Sequence, residues 1–340
     1  MKRFLISGIC GVIVACFTIS GFAFETNANL ALPMVAETSP ENPFGNPIMP
    51  GADPQALVVG KTVWIYPTWN DGTRQAFFAF SSTDLKTWQR YGPVLDFKDA
   101  GWINDDGQKR HFAWAPGVTE NKGEYYFYYA VGPQGETASR IGVATGKFPN
   151  GPFQDSGKPL LTGGKGFEAI DPMVFTDPVS GNSYFYAGGS AGSKLRIFEM
   201  NSDMVSFRRE IPVETPTNFT EGVYVHYREG KYYLSYSHGS WQRSSYSVHY
   251  ATGDTPIGPW TYRGAILTSD ETHKGPGHHA FFQSPLTGEW LIAYHRWENQ
   301  SGDGPYRGSR RVCIDRVEYD QHGLILPIVM TSRNASSKNN

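Results

Sequence analysis

The stretch GFEAIDPMVFTDPVSGNSYFYAGG, residues 166–189, decides how this chain folds. A single carboxylate, Asp171, stands ahead of a short apolar run, which is followed by a turn containing glycine and by an aromatic strand. Because an Asp-Pro pair commonly opens a turn, one such stretch would by itself indicate little more than a hairpin. The same order of features returns along the chain, and this repetition predicts the fold.

Five strands rich in aromatic or aliphatic residues each follow a polar turn that contains glycine. They are VWIYPTW (63–69), YYFYYAV (125–131), SYFYAGG (183–189), YYLSYSH (232–238) and WLIAYHRW (290–297). Their equivalent residues are 62, 58, 49 and 58 positions apart, namely Ile65, Phe127, Phe185, Leu234 and Ile292. This spacing suits four-stranded blades, and no long window shows the apolar period of a helix. A β-sandwich does not predict such repeats, so we expect an all-β, single-domain, five-bladed β-propeller.

One position ahead of each turn carries unusual side chains. Counting back 12 to 14 residues from each equivalent residue leads to Asp53, Trp114, Asp171, Glu221 and His278. The first strand of every propeller blade lines the central channel, so these side chains are expected to meet at the axis. Packing alone does not select charge there, because an unpaired buried carboxylate is costly. The sequence therefore predicts a pocket built around three carboxylates.

Composition narrows the kind of molecule that this pocket binds. The chain has 340 residues and a net charge of −2, without a basic or acidic block, so no nucleic-acid partner is indicated. Nothing in the sequence implies a protein partner. Aromatic residues make up 14% of the chain, and aromatic faces beside carboxylates suit the C–H face of a sugar. A hard-metal site would instead have acidic residues close together in one loop. We therefore expect an oligo- or polysaccharide substrate and no required cofactor.

The N-terminal segment resembles a targeting signal. Lys2 and Arg3 precede an uncharged stretch over residues 4–24, so residues 1–23 are predicted to be a secretory signal peptide cleaved after Ala23. A retained membrane anchor and a lipoprotein modified at Cys16 are the alternatives, and each implies export to the periplasm or the exterior. Residues 24–45 are predicted to form a lead-in, residues 46–332 the propeller and residues 333–340 a polar tail. Only Cys313 lies outside the leader, so no internal disulfide is expected.

The motifs GADP, WAPGV, AIDPMVFTD, EGVYVHY and GPGHH, in this order, resemble those of glycoside hydrolase family 43. The resemblance implies a five-bladed propeller that hydrolyses arabinose- or xylose-containing glycans with inversion of configuration. It implies that Asp53 is the general base, that Glu221 is the general acid, and that Asp171 orients the acid and raises its pKa. Trp114 would line the pocket. His278 would contact substrate, or would stand beside a structural Ca²⁺ ion at the axis and bind it through water.

Geometry agrees with the inverting roles. Inversion requires the two working carboxyl groups to be roughly 6.5–9.5 Å apart, and a retaining enzyme, such as a fructan-cleaving propeller, requires about 5–5.5 Å. Blades one and four of five lie across the channel from each other, so Asp53 and Glu221 are expected to span the larger gap. A non-catalytic carbohydrate-binding propeller, the alternative from another class, would not need all three acids.

Substrate contacts and specificity are predicted from the C-terminal part. A cation is expected in the pocket, with Arg296 and Arg311 as the candidates, whereas His279 and His295 suit structural and functional roles equally. The polar, glycine-rich residues 297–311 are expected to close one end of the pocket, which favours terminal sugars. The prediction is a secreted α-L-arabinofuranosidase that removes terminal arabinofuranosyl residues from plant-type glycans. A β-xylosidase, a β-galactofuranosidase and an endo-arabinanase of the same family are the alternatives.

Overall fold

The computed structural model of the protein describes residues 42–69, 75–164 and 166–332. A two-residue strand, β1 (Met49–Pro50), comes first. The next four strands form an antiparallel sheet, made of β2 (Ala52–Val59), β3 (Thr62–Thr68), β4 (Ala76–Ser82) and β5 (Gln89–Asp96). Two 3₁₀ helices, Phe97–Asp99 and Gly101–Asp106, lead from this first blade to the second. The second blade contains β6 (Phe112–Asn121), β7 (Glu124–Gly132), β8 (Arg140–Gly146), β9 (Gln154–Asp155) and β10 (Leu161–Thr162).

The remaining three blades repeat the same antiparallel order. The third consists of β11 (Met173–Thr176), β12 (Ser183–Ala187), β13 (Arg196–Met200) and β14 (Phe207–Ile211). The fourth consists of β15 (Glu221–Arg228), β16 (Lys231–His238), β17 (Ser247–Gly253) and β18 (Thr261–Leu267). The fifth consists of β19 (Lys274–Gln283), β20 (Trp290–Trp297) and β21 (Arg311–Arg316), and β1 is its outermost strand. An early strand thus completes the last blade.

The first strands of the five blades form a closed ring. Strand β2 contacts β6 and β19, β11 contacts β6 and β15, and β15 contacts β19. Blades one and four are therefore not neighbours in the ring. The expected all-β, five-bladed propeller is confirmed, and the ring places the start of every inner strand around one axis.

The five repeated strands are the second strands of the blades, and they form much of the apolar core. Their equivalent residues are completely buried, as expected from the sequence: Ile65, Phe127, Phe185, Leu234 and Ile292. Each pairs with an apolar residue of the inner strand, namely Ala56, Val118, Val174, Val225 and Phe281. Burying a large apolar side chain contributes roughly 1.5–3 kcal/mol, so every blade carries its own stabilising centre.

A buried asparagine ties the two ends of the propeller together. Asn46 donates from Nδ2 to the carbonyl of Ile314 at 2.7 Å and to Thr331 Oγ1 at 2.9 Å. Its Oδ1 accepts the backbone N–H of Ile314 at 2.8 Å. Because buried amide groups are costly when unpaired, this fastening holds the ring closed next to the β1–β21 pairing.

Several segments named from the sequence lie outside the described residues. They are the predicted signal peptide at 1–23, most of the lead-in and the tail at 333–340, so their assignments stay predictions. In the part of the chain that the structure describes, no helix has the length and apolar character that crossing a membrane requires.

Candidate active site

Each blade has a residue in the left-handed backbone conformation in, or just before, the first half of its inner strand. These residues are Asp53 (φ 49°), Ala115 (φ 37°), Asp171 (φ 57°), Gly222 (φ 65°) and His278 (φ 39°). In β2, β6, β15 and β19 the strand register shifts at this point, as at a β-bulge. A bulge bends the strand and re-aims its side chains, and it is often found beside active sites. A left-handed residue therefore recurs at five places around the axis, and at four of them it coincides with a bulge.

The positions of the left-handed residues correct the alignment of the repeats that was made from the sequence. Counting from the turns put Trp114 and Glu221 in the same position as Asp53, but they stand one residue earlier. The left-handed positions of their blades belong to Ala115 and Gly222. The physical reason is that the turns differ in length and the bulge adds a residue, so counting from the turn does not identify the bulge. Glu221 still lines the same cavity as Asp53.

The three carboxylates meet in one cavity of about 220 Å³ at the start of the inner strands. It is lined by Asp53, Trp114, Glu168, Ile170, Asp171, Ser190, Glu221, Trp241, His278 and Arg310. The structure therefore brings together all five axial residues that the sequence singled out. Their catalytic and binding roles stay predictions, argued below from their contacts.

Asp53 is surrounded by basic groups. Its Oδ1 accepts a hydrogen bond from Arg310 Nη1 at 2.9 Å and lies 3.2 Å from His295 Nδ1 and 3.6 Å from His278 Nδ1. Burial alone would raise the pKa of Asp53, but the charges of Arg310 and His278 and the contact with His295 outweigh it and hold the pKa well below its usual value. Asp53 is therefore ionised at neutral pH.

The pKa values of Glu221 and Asp171 are shifted upwards, in the opposite direction to that of Asp53. Burial, together with the charges of Asp53 and Glu168, raises the pKa of Glu221 to about 7, although a hydrogen bond from Tyr246 works against this. Burial and the charge of Glu221 raise the pKa of Asp171 well above its usual value, while the Gly222 N–H, which donates to Asp171 Oδ2 at 2.9 Å, opposes the rise.

The sequence predicted that an ionised Asp171 raises the pKa of Glu221. That role stays a prediction: burial raises the pKa of both carboxyl groups, and the charge of Glu221 adds to the rise at Asp171.

His278 stands between two carboxylates. Its Nδ1 is 3.6 Å from Asp53 Oδ1 and 3.4 Å from Asp171 Oδ2, and its backbone N–H donates to Ser237 Oγ at 2.8 Å. Burial lowers the pKa of His278 below its usual value, and the charge of Asp53 opposes this.

A Ca²⁺ ion needs six to eight oxygen ligands. Among residues 42–69, 75–164 and 166–332, no group of three or more acidic, histidine or cysteine side chains is arranged to hold a metal ion. The oxygens facing His278 already accept protein donors, Asp53 Oδ1 from Arg310 and Asp171 Oδ2 from Gly222. These residues do not form a calcium cage.

Trp114 forms one wall of the cavity, as predicted. Its ring stacks on Phe112 with centroids 5.7 Å apart and planes 2° from parallel. A Cβ at Gly132, on the neighbouring strand β7, would overlap the Trp114 ring. The glycine is therefore needed for the position of this wall.

Neither arginine singled out from the sequence reaches the cavity. Arg296 is completely buried, and its guanidinium donates to Glu298 Oε1 at 2.6 Å and to the Tyr294 hydroxyl at 3.2 Å. Arg311 opens β21, where it pairs with Arg296, and it does not line the cavity. The cavity arginine is Arg310, the residue just before this strand. Side chains of neighbouring residues in an extended chain project to opposite sides. Which of Arg310 and Arg311 faces the cavity therefore depends on the register of this segment, which the sequence did not show.

Other groups in the site were not singled out as functional. Glu168 stands three residues before Asp171, and its Oε2 accepts the Ala191 N–H at 2.7 Å. Tyr246 donates to Glu221 Oε1 at 2.7 Å, and its ring stacks on His295. The motif FEAIDP offered a signal for the first of these, because Glu168 is a second acid close to Asp171. For Tyr246 no local signal exists, since its partner is 25 residues away.

The segment 297–311 borders the cavity. Trp297 Nε1 donates to the carbonyl of Trp241 at 2.8 Å, and the two rings stack with planes 18° apart. Asp303 accepts a hydrogen bond from the Ser244 hydroxyl at 2.6 Å. The segment is thus fastened to the loop before β17, and its Arg310 lies 4.7 Å from the ring of Trp241. A smaller cavity of about 80 Å³, which shares Trp114, Trp241 and Arg310, adjoins the first.

Comparison with known proteins agrees with this arrangement. Residues 44–325 match the family Glycosyl hydrolases family 43. A β-D-galactofuranosidase of Aspergillus niger is 35% identical over 319 residues, which cover 88% of this chain and 88% of that protein. A xylosidase/arabinosidase of Bacteroides ovatus is 29% identical, covering 83% of this chain and 96% of the relative.

Solved structures give the same result. A thermostable family-43 glycoside hydrolase superposes with a TM-score of 0.71 at 26% identity, covering 86% of this chain and 96% of its own. An α-L-arabinofuranosidase from Clostridium thermocellum superposes with a TM-score of 0.64 at 29% identity, covering 82% and 94%. The family match, over residues 44–325, extends over most of the described propeller. This chain belongs to glycosyl hydrolase family 43 and is a glycoside hydrolase.

Proposed function

We propose that the protein hydrolyses terminal glycosidic bonds with inversion, with Asp53 as the general base and Glu221 as the general acid. The observation that carries this proposal is that the pKa values of two carboxyl groups lining one cavity are shifted in opposite directions. The basic groups around Asp53 keep it ionised, whereas the pKa of Glu221 is raised to about 7. Pairs of titratable groups whose surroundings push their pKa values apart are typical acid and base partners.

Each carboxyl group then has one task. Asp53 takes a proton from a water molecule, which attacks the anomeric carbon while Glu221 gives its proton to the leaving oxygen. Asp53 and Glu221 belong to blades one and four, which are not neighbours in the ring. This placement supports a separation large enough to admit water, as inversion requires. Asp171 acts through Glu221, whose charge raises the pKa of Asp171.

For the substrate we propose terminal α-L-arabinofuranosyl residues of plant-type glycans. A Clostridium thermocellum structure is described as an α-L-arabinofuranosidase, and the Bacteroides ovatus relative as a xylosidase/arabinosidase. The segment 297–311, fastened over one side of the cavity, supports action on chain ends. A second candidate is the terminal β-D-galactofuranosyl group, because the relative at 35% identity is described as a β-D-galactofuranosidase. The two sugars share their ring configuration and differ in the substituent at C4.

A panel of nitrophenyl glycosides tests the substrate. We expect kcat/KM on the α-L-arabinofuranoside to exceed that on the β-D-xylopyranoside and the β-D-galactofuranoside by about 10-fold or more, since one small group in a pocket is worth about that much. A higher value on the galactofuranoside would replace the first candidate by the second. Release of oligosaccharides rather than arabinose from arabinan would contradict the assignment to chain ends.

The stereochemical course is measured separately. Proton NMR of the first-formed sugar, read before mutarotation, should show the anomer opposite to that of the substrate. A retained anomer would overturn the roles of Asp53 and Glu221, whatever the sugar.

The role of Arg310 is tested through the pH dependence of kcat/KM. Replacing Arg310 by Met removes the positive charge that lowers the pKa of both Asp53 and Glu221. Both limbs of the pH profile should therefore move to higher pH. Arg311→Met is the matched control, because this neighbouring arginine does not line the cavity. If Arg311→Met shifted the profile and Arg310→Met did not, the assignment of the cavity arginine would be wrong.

Export and calcium binding remain proposals based on the sequence. We propose cleavage after Ala23, and the N-terminal sequence of protein recovered outside the cell would contradict it by starting elsewhere.

Any calcium at the axis would be held through water beside His278, and isothermal titration with Ca²⁺ that shows no heat of binding would exclude it.

A further inference from the structure

Tyr246 occupies a position that packing alone does not explain. It stands just before β17, is completely buried, and places its hydroxyl 2.7 Å from Glu221 Oε1. A Cβ at Gly277 would overlap the Tyr246 ring, so the second glycine of the GPGHH motif leaves the space that the ring fills. On the other side the ring stacks on His295, with centroids 5.7 Å apart and planes 14° from parallel. The ring is thus held firmly against the general acid.

A second hydroxyl acts on Tyr246. The backbone N–H of His278 donates to Ser237 Oγ at 2.8 Å. The hydroxyl of Ser237, which is completely buried, keeps its own proton, and its interaction with the Tyr246 oxygen opposes the rise in the pKa of Tyr246. The Tyr246 hydroxyl itself donates to Glu221 Oε1 at 2.7 Å. Ser237 is directly opposite Glu221 in the β15–β16 pairing, so the sheet itself sets this geometry.

Tyr246 keeps its proton under working conditions. Burial, with the charges of Glu221 and Asp53, raises the pKa of Tyr246 well above its usual value, so the phenol is neutral and can donate. A neutral carboxylic acid that accepts a hydrogen bond on one oxygen carries its proton on the other. With Oε1 accepting from Tyr246, the acidic proton of Glu221 is placed on Oε2.

We propose that Tyr246 is the positioning residue of the general acid: its ring, packed between Gly277 and His295, holds the hydroxyl as a donor to Glu221 Oε1 and so assigns the catalytic proton to Oε2. This inference rests on the proposed role of Glu221. It extends that role by naming the oxygen that protonates the leaving group and the residues that select it. The other ionisable groups facing Glu221 across the cavity are Asp53, Glu168, Asp171, His278 and Arg310.

The test is the pH profile of Tyr246→Phe. The phenylalanine keeps the ring between Gly277 and His295 and removes only the donor. Because the hydrogen bond stabilises ionised Glu221, its loss should move the alkaline limb of kcat/KM to higher pH by about one unit. Turnover should also fall on the order of 10-fold on a natural glycoside, and less on a nitrophenyl glycoside, whose leaving group needs little protonation.

Ser237→Ala provides a second, independent variant. It removes the donor to Tyr246 and leaves the phenol in place, so we expect a shift of the alkaline limb in the same direction but smaller. If Tyr246→Phe does not fold, the position of the alkaline limb in Ser237→Ala tests the inference, and an unchanged limb contradicts it.

Tyr294→Phe is the matched control. Tyr294 is also completely buried and donates to a carboxylate, Asp315 Oδ2, at the same 2.7 Å, but it lies outside the cavity. This control should lower the melting temperature and leave the alkaline limb unchanged. A wild-type profile in Tyr246→Phe, or an equal shift in Tyr294→Phe, would overturn the inference. Failure of the acid role itself would be recognised separately, because Glu221→Gln would then lose activity equally on all leaving groups.

Discussion

Replacing Asp53 by Asn should lower kcat by about 10²–10⁴-fold on every substrate, independently of the leaving group. The amide cannot take a proton from water, and all substrates need that water to attack. The basic groups around position 53, Arg310 among them, would remain but would have no anion to stabilise. The measurement is kcat on a nitrophenyl and on a natural glycoside, with the ratio of the two losses close to one.

At position 53, replacement by Asn removes the base without disturbing the backbone, so a loss of activity can be distinguished from a loss of folding. Asp53 has a φ of 49°, and Asn is one of the few residues besides glycine that adopts this conformation readily. Asp315→Asn is a suitable control, because Asp315 is a buried carboxylate in the fifth blade that accepts from Thr331 and Tyr294 outside the cavity. If Asp315→Asn lost as much turnover as Asp53→Asn, the loss would reflect destabilisation, and the role of Asp53 as base would lose its support.

Glu221→Gln is expected to show a split between leaving groups. A general acid matters most when the leaving oxygen is a poor one, so kcat on a natural glycoside should fall by about 10²–10⁴-fold. On a nitrophenyl glycoside, which leaves as a stabilised anion, the loss should be much smaller. The alkaline limb of the pH profile, set by the pKa of Glu221 at about 7, should also disappear in this variant.

The control for this variant is Glu199→Gln. Glu199 is equally buried in the third blade, where it pairs with Arg208 at 2.9 Å and Arg209 at 2.7 Å. Its loss should affect stability and leave the ratio between the two substrates unchanged. Equal losses on both substrates in Glu221→Gln would show that another group protonates the leaving oxygen.

The fold was predictable because its signal is repeated and local. The second strand of each blade is recognisable from an aromatic or aliphatic run that follows a turn containing glycine. The five equivalent residues of these strands are completely buried. Every blade needs an apolar centre, whatever its place in the ring. Each repeat therefore contains its own run of apolar residues. The same repetition also led to the three carboxylates, which lie in one cavity as expected.

Prediction was less successful where an assignment depended on one residue of register. Arg311 was named and Arg310 lies in the cavity, and Glu221 stands one residue before the left-handed position of its strand. Counting from turns does not detect a bulge, and the bulge determines which side chain faces the axis. The signal for Gly222 was present, since glycine next to an acid in EGV suits a left-handed position.

The sequence alone determined the number of blades, the buried strands and three of the four acids that line the cavity, because these follow from patterns within each repeat. The tertiary structure decided which acid is ionised and which is protonated. That difference arises from groups distant in the chain: Arg310 reaches Asp53 across 257 positions, and Tyr246 reaches Glu221 across 25. A pKa depends on burial and on charges a few ångströms away, and only the closed ring brings those charges together.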